Sequence, residues 1–220
     1  MQRDARQVVK RMAKYLASIL REQTRRARLR QLSGLWYPPK MTKHAPPMPD
    51  PAEAVVMLRA ALDQLDFARR YTSELLDSVP PTRWYEFPAG WSSCIAWQVG
   101  HLAVSQYGLL MFRIRGRRPE DLDLIPGTFR KAYGRGSSPS PDASRQPSPE
   151  ELVAKLSDVD RRAREELQAI SAETLLEPVE MPYAAYPMKL GAVLFCPLHE
   201  QLHAGQIGGL RRAMGLEPLR

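Results

Sequence analysis

The sequence lacks a long apolar run and is nearly free of cysteine. No run of about 18 apolar residues occurs, so a transmembrane helix is not expected. The N-terminal residues also lack the uninterrupted apolar segment of a secretion signal. Cys94 and Cys196 are the only cysteines, which excludes a disulfide framework. These absences favour a cytoplasmic protein whose two thiols are buried as small apolar residues.

Acidic residues are scarce in the first 50 residues. That segment has 12 lysines and arginines but three acids, whereas residues 51–220 have 20 basic and 21 acidic residues. The net charge of +8 therefore belongs to the N-terminal arm, residues 1–50, and the rest of the chain is close to neutral. A nearly neutral body is not expected to bind nucleic acid.

The arm is predicted to contain a helix and a linker. Apolar residues recur at helical spacing among basic ones. They are Val8, Val9, Met12, Leu16, Ile19 and Leu20. Residues 37–51 then include six prolines and are typical of an extended linker. Two interpretations stay open: a basic amphipathic helix that contacts a membrane surface or nucleic acid, or a loosely ordered extension ahead of a domain that starts near residue 51.

The body, residues 51–220, predicts an all-α fold. Amphipathic patterns predict helices over 52–78, from about 93 to 115, from 149 to about 170, and from about 190 to 215. Residues 116–148 form a long connection rich in glycine, proline and serine. No pair of β-strands is indicated. Four helices with a long second connection predict a four-helix bundle.

Two helix starts have capping signals. Ser92 or Ser93 is expected to cap the second helix. Ser148, followed by Pro149 and by Glu151 three residues later, predicts a capping box at the start of the third helix. Trp91 and Trp97, at and just after the second helix start, are expected to lie in the core.

Histidine is also scarce, and three of the four histidines fall on predicted helices. His199 and His203 are four residues apart, which places both on one face of the fourth helix with Cβ atoms roughly 6 Å apart. His101, midway along the second helix, can supply a third ligand to the same ion. Three neutral imidazoles leave one position of a metal ion open to water or substrate. The alternative is that these histidines are ordinary core residues, and His44 lies in the proline-rich linker.

The letters HEQLH at residues 199–203 also match the zinc-protease motif H-E-x-x-H. Such proteases take a third ligand from further along the chain. In the longer form of the motif, Gln206 stands where a glycine belongs and Gly209 where the last histidine belongs. The one acid after His203 is Glu217, which lies beyond the predicted helix. The sequence therefore disfavours a metalloprotease, which remains the remote alternative.

The histidines lie in two segments that together resemble a known family. The segment WSSCIAWQVGHLAVSQYGLL surrounds His101, and the segment HEQLHAGQIGGLRRAMGLEPL begins at His199. Their order and placement resemble the DinB-like (YfiT-type) superfamily of metal-binding four-helix proteins, over residues 52–220. The resemblance implies an up-down-down-up bundle and a divalent metal held by His101, His199 and His203. It leaves the reaction open, since similar proteins include thiol S-transferases that use bacillithiol or mycothiol, and isomerases.

Four further residues are candidates near this site. Glu200 is either a general base, an acceptor for a ligand histidine, or a solvent-facing charge. Gln206 either contacts the metal or a bound ligand, or forms a hydrogen bond between helices, and Ser105 is expected to line the pocket. Cys196, three residues before His199, is either a packed residue at the helix start or a thiolate ligand.

The leading functional hypothesis is a small-molecule metalloenzyme of thiol S-transferase or hydrolase type. Its cofactors are a divalent ion (zinc, nickel, iron or copper) and, in the transferase case, a low-molecular-weight thiol. The alternatives are a bundle with a non-catalytic metal and a homodimeric bundle whose histidines bind nothing. A fourth protein ligand such as Cys196 would favour a structural metal, and an open position would favour an enzyme.

We predict that the arm is dispensable for folding, because its charge and its prolines set it apart from a body whose helices form a closed set. A protein that starts at Met48 should keep its helical circular dichroism and a melting temperature within a few degrees of the full chain. A large loss of either would show that the arm is part of the folded domain.

Overall fold

The computed structural model describes residues 47–179 and 186–219. The predictions for the basic helix and for most of the proline-rich linker fall on residues 1–46, outside the described residues. The predicted domain boundary at residue 50 and the contacts proposed for the arm therefore stay predictions.

The first helix, α1, spans Pro51–Asp77. Its start is set by Asp50, whose side chain accepts a hydrogen bond from the backbone N–H of Glu53 while the Glu53 carboxylate accepts one from the Asp50 N–H. This reciprocal capping satisfies two helix-start donors. A stripe of Leu58, Leu65 and Leu75 then faces the core, as the helical pattern predicts.

The second helix, α2, spans Ile95–Tyr107, and the cap predicted for it is wrong. Its N-cap is Cys94, which makes no side-chain capping bond. Ser93 instead accepts a hydrogen bond from the side chain of Gln98, at 2.9 Å. The helix continues through a π-helical turn, Gly108–Phe112, into the short helix α3, Arg113–Arg115, so the predicted end near Arg115 is correct.

The long connection after α3 contains two short helices, α4 over Asp121–Leu124 and α5 over Gly127–Tyr133. Arg115 anchors it, because its guanidinium donates to Asp121 at 2.6 and 2.8 Å and to Glu166 at 2.7 Å. The Tyr107 hydroxyl donates to Asp121 as well, at 2.8 Å. Asp121 is 3% exposed, so these hydrogen bonds are buried and hold the start of the connection against the helices.

The next helix, α6, spans Pro149–Gln168 and begins with the predicted capping box of Ser148 and Glu151. A short helix α7, Ala172–Leu176, follows, and Pro178 pairs with Met188 in an isolated antiparallel bridge. The last helix, α8, spans Lys189–Ala213 and contains Pro197 within its early turns.

The long helices α1, α2, α6 and α8 pack as a bundle, in which α8 lies mainly against α1 and also contacts α2, while α2 lies mainly against α6. The predicted all-α bundle is confirmed. Leucine and alanine side chains from all four helices form one core, to which α2 and α8 each bring a long run of buried residues. No helix in the described part of the chain is long and apolar enough to cross a membrane.

We predict that Arg115→Met destabilises the fold by about 3 kcal/mol, because it leaves the buried carboxylate of Asp121 without its cation. Burial alone would raise the pKa of Asp121, but hydrogen bonds from Arg115, the Arg118 backbone and Tyr107 lower it to about 2. The stabilisation is therefore present above the unfolded pKa near 4 and is lost as the pH falls through 2. Urea denaturation of both proteins at pH 7 and pH 3 measures both effects.

A matched control is Arg161→Met, because the side chain of Arg161 is 62% exposed and its partners Glu165 and Asp158 are exposed too. This variant should unfold like the wild type. Equal stability of the Arg115 and Arg161 variants would show that the anchor contributes nothing.

Candidate metal centre

Three histidines from two helices meet inside the bundle. His101 comes from α2, and His199 and His203 come from successive turns of α8. One nitrogen atom of each imidazole lies within 4.8 Å of those of the other two. His101 and His203 are 8% and 7% exposed, whereas His199 is half-buried. The cluster thus has two enclosed members and one that borders solvent.

The ring of His101 is held on two sides. Its Nδ1 donates to the backbone carbonyl of Tyr133, at 2.8 Å, which fixes the proton on Nδ1 and leaves Nε2 unprotonated. The Trp97 ring stacks on it, with centroids 4.7 Å apart. Gly100 allows Tyr133 to approach α2 this closely, because a Cβ at that position would overlap the ring of Tyr133.

His203 is oriented through a side-chain relay. Its Nδ1 donates to Oε1 of Gln98, at 2.5 Å, and Nε2 of Gln98 donates to Ser93. With the Gln98 oxygen facing the histidine, the proton again lies on Nδ1 and Nε2 is left unprotonated. Anchoring the outer nitrogen of a histidine in this way is the usual arrangement around protein metal ligands.

The three imidazoles are neutral near pH 7. Burial lowers the pKa of His101. Burial, reinforced by the neighbouring His101, lowers the pKa of His199 to about 4. Burial and both neighbouring histidines lower the pKa of His203 to about 3. Neutral imidazole is the form that binds a metal ion.

The residues present fit a divalent metal ion. One nitrogen atom from each of the three histidines lies within ligand-sharing distance of the others, and among the described residues no carboxylate or thiol joins the group. Three nitrogen ligands suit zinc, nickel, copper and iron. The Ser105 hydroxyl lies 3.1 Å from Nε2 of His101, so it borders the atom that would hold the ion.

The same segments carry a family pattern. The family model of the DinB superfamily matches residues 64–207, well over half of the chain. The chain belongs to the DinB superfamily. The matched range includes all three clustered histidines, and the family resemblance predicted from the sequence is confirmed. No curated protein matches the chain.

Glu200, the acid within HEQLH, has its own partner in this DinB protein. It is 2% exposed, so its interpretation as a solvent-facing charge is wrong. Both of its oxygens accept hydrogen bonds from Arg69 of α1, at 2.5 and 2.8 Å. The carboxylate is not among the atoms that gather at the histidine cluster, and its pairing with Arg69 favours a structural role over that of a general base.

The Arg69–Glu200 pair extends into a polar network that joins all four long helices. Arg69 also donates to Gln106 of α2, at 2.8 Å, and Gln106 donates to Asp160 of α6, at 2.6 Å. Arg164 bridges Asp160 to Asp66 of α1. Arg69, Gln106 and Glu200 each meet a partner from a different helix, which fixes how the helices align.

Other predicted residues lie in different surroundings. Gln206 is exposed on α8, and its predicted contact with a ligand stays a prediction. Cys196 is buried outside the histidine group, and burial raises the pKa of its thiol. Trp91 was expected in the core but is 36% exposed and rests on Gly209, so that prediction is wrong. Trp97 is half-buried and packs on the core.

Sequence reasoning missed Arg69, Gln98 and the Tyr133 carbonyl. Gln98 lies three residues before His101 on the same face of α2, which was a usable signal for a polar residue near the site. The partnership of Arg69 with Glu200 spans 131 residues, and the Tyr133 contact uses a backbone atom in the long connection. Neither leaves a local pattern in the sequence.

We predict that Arg69→Met destabilises the protein by about 3–5 kcal/mol, because it strands the buried Glu200 carboxylate. Glu200→Gln should cost less, since the Arg69 side chain is 20% exposed and reaches water. Urea denaturation measures both. Glu200→Gln should also change metal affinity by tenfold at most, because Glu200 lies outside the ligand cluster.

Arg161→Met serves as the control here too, since the side chains of Arg161 and of its partners Asp158 and Glu165 are exposed. If the Glu200→Gln protein kept its stability but lost its metal, Glu200 would act at the metal centre and not in helix packing.

Proposed function

We propose that the protein binds one divalent metal ion per chain through His101, His199 and His203 and transforms a small molecule at that ion. The observation that carries this proposal is the pair of anchored Nδ1 atoms in His101 and His203. Each donates its proton to an oxygen outside the cluster. The remaining nitrogen of each ring is thereby left as a ligand atom beside His199.

A bound divalent ion would supply Lewis acidity, which lowers the pKa of a coordinated water or low-molecular-weight thiol. The chain's own groups have separate tasks. Tyr133 and Gln98 hold the ligand rings in one tautomer, and Trp97 covers one face of His101. The Ser105 hydroxyl is placed to hydrogen-bond a molecule that lies beside His101.

The composition of the cluster favours an enzyme over a structural metal site. Structural zinc sites are closed by four protein ligands, whereas catalytic sites combine three with an exchangeable position. Within the described residues the cluster has three members, and Cys196 is not one of them. A small-molecule transferase that uses a thiol, or a hydrolase that uses water, fits this arrangement.

The arrangement is a poor fit to a zinc protease despite the letters HEQLH. The third histidine comes from α2, about 100 residues upstream, rather than from downstream of His203. The acid that would serve as general base is engaged by Arg69. In the described residues the β-structure is one isolated bridge, which offers no edge strand to hold an extended peptide.

We predict one divalent ion per chain in protein purified without a histidine tag, as measured by elemental analysis. His101→Ala, His199→Ala and His203→Ala should each lower the occupancy sharply, because two imidazoles rarely hold an ion alone. The matched control is His44→Ala, which removes the one histidine outside the cluster and should leave the occupancy unchanged. Equal metal content in all four variants would rule out the site, provided that circular dichroism shows each to be folded.

A further inference from the structure

The exposed side of α8 carries no charge over most of its length. Between Lys189 and Arg211 the one acidic or basic residue is Glu200, which is buried. The positions that reach solvent are apolar, small or neutral. They are Leu194, Phe195, Leu198, His199, Gln201, Leu202, Gly205, Gln206 and Gly209. Surface helices normally carry charged residues on this side, so this face is unusual.

Three of these residues are apolar and share one helix face, which we name the rim: the half-buried Phe195 and the exposed Leu198 and Leu202. Leu198 and Leu202 are 58% and 57% exposed. Their spacing of three, four and seven residues makes the three side chains neighbours on one helix face. Exposed contiguous apolar surface of this kind marks a binding site more often than scattered single residues do.

The rim adjoins the histidine cluster at the point where the cluster reaches solvent. His199 is the half-buried member, while His101 and His203 are enclosed. The ring of Phe195 lies against that of His199, with centroids 5.8 Å apart. Leu202 is three residues after His199 and therefore its neighbour along the helix. A molecule bound beside His199 therefore has the rim within reach.

Two exposed apolar residues of α1 are in different surroundings. Phe67 of α1 is 58% exposed but has the guanidinium of Arg70 over its ring, 5.9 Å from the centroid. Val56 is 64% exposed, three residues before Arg59. These are isolated residues on charged faces, which is normal for a protein surface.

We propose that the rim binds the apolar part of the small-molecule substrate, so that the enzyme acts on compounds with an alkyl or aryl group next to the reacting atom. This inference rests on the proposed function. From Phe195 to Leu202 the rim spans about 10 Å along α8, the length of a small ligand. On α8 itself no lysine or arginine lies between Lys189 and Arg211, which disfavours an anionic lipid surface as the occupant.

The test uses the full-length protein loaded with Co²⁺ and a series of n-alkyl hydroxamates from two to eight carbons. Hydroxamates chelate divalent metals, and binding is read from the visible absorption of cobalt. Each added methylene that the rim covers should tighten binding about fourfold. In the Leu198→Gln/Leu202→Gln protein the dependence on chain length should be lost, whereas Val56→Gln/Phe67→Gln, which removes two exposed apolar residues of α1, should keep it.

The outcomes separate the two proposals. If the wild-type protein does not bind Co²⁺, the proposal of the metal site is itself contradicted. Cobalt uptake with an affinity independent of chain length in the wild type leaves the metal site intact and overturns the rim proposal. Sedimentation equilibrium of the same samples gives the third outcome. A wild-type dimer that becomes monomeric in the Leu198→Gln/Leu202→Gln protein overturns the proposal too, because the rim would then be an interface between two copies of the chain.

Discussion

The buried carboxylate of Glu200 needs a cation, and the alignment of α8 with α1 depends on how that need is met. Glu200 is enclosed, and the guanidinium of Arg69 supplies the charge with two parallel hydrogen bonds. Such bidentate pairing fixes direction as well as distance. Because Arg69 belongs to α1 and Glu200 lies next to His199, the pair holds the helix that carries His199 and His203 in register with α1, against which it mainly packs.

The last helix can be understood as three faces with separate roles. One face carries Glu200, which joins the polar network by accepting from Arg69 of α1, and Arg69 in turn donates to Gln106 of α2. A second face presents His199 and His203 towards His101. The third reaches solvent with apolar and small residues. Buried charges near the neutral imidazoles are tolerated only if each charge is paired with an opposite one. The network meets this condition, because Gln106 links it to Asp160, and Asp160 is paired with Arg164.

The elements that local chemistry determines could be predicted from the sequence. The capping box at Ser148 and the four long helices follow from spacing and turn residues, and the family resemblance implied that His101 meets the histidine pair of the last helix. The cap of α2 did not follow, because Ser93 is engaged by the Gln98 relay instead of the helix backbone. The positions of Arg69 and Tyr133 near the site depend on tertiary packing between distant segments, and Trp91 lies partly exposed because it packs on Gly209 at the edge of the bundle.

The central claim is that one ion is held jointly by the three histidines. Anomalous diffraction from crystals grown with Zn²⁺, recorded above and below the zinc absorption edge, tests it most directly. The account predicts one strong difference peak per chain at ligand distance, about 2.0–2.1 Å, from a nitrogen of His101, His199 and His203, with Glu200 still paired to Arg69. A cluster without a peak, or an ion ligated by Glu200, would contradict it.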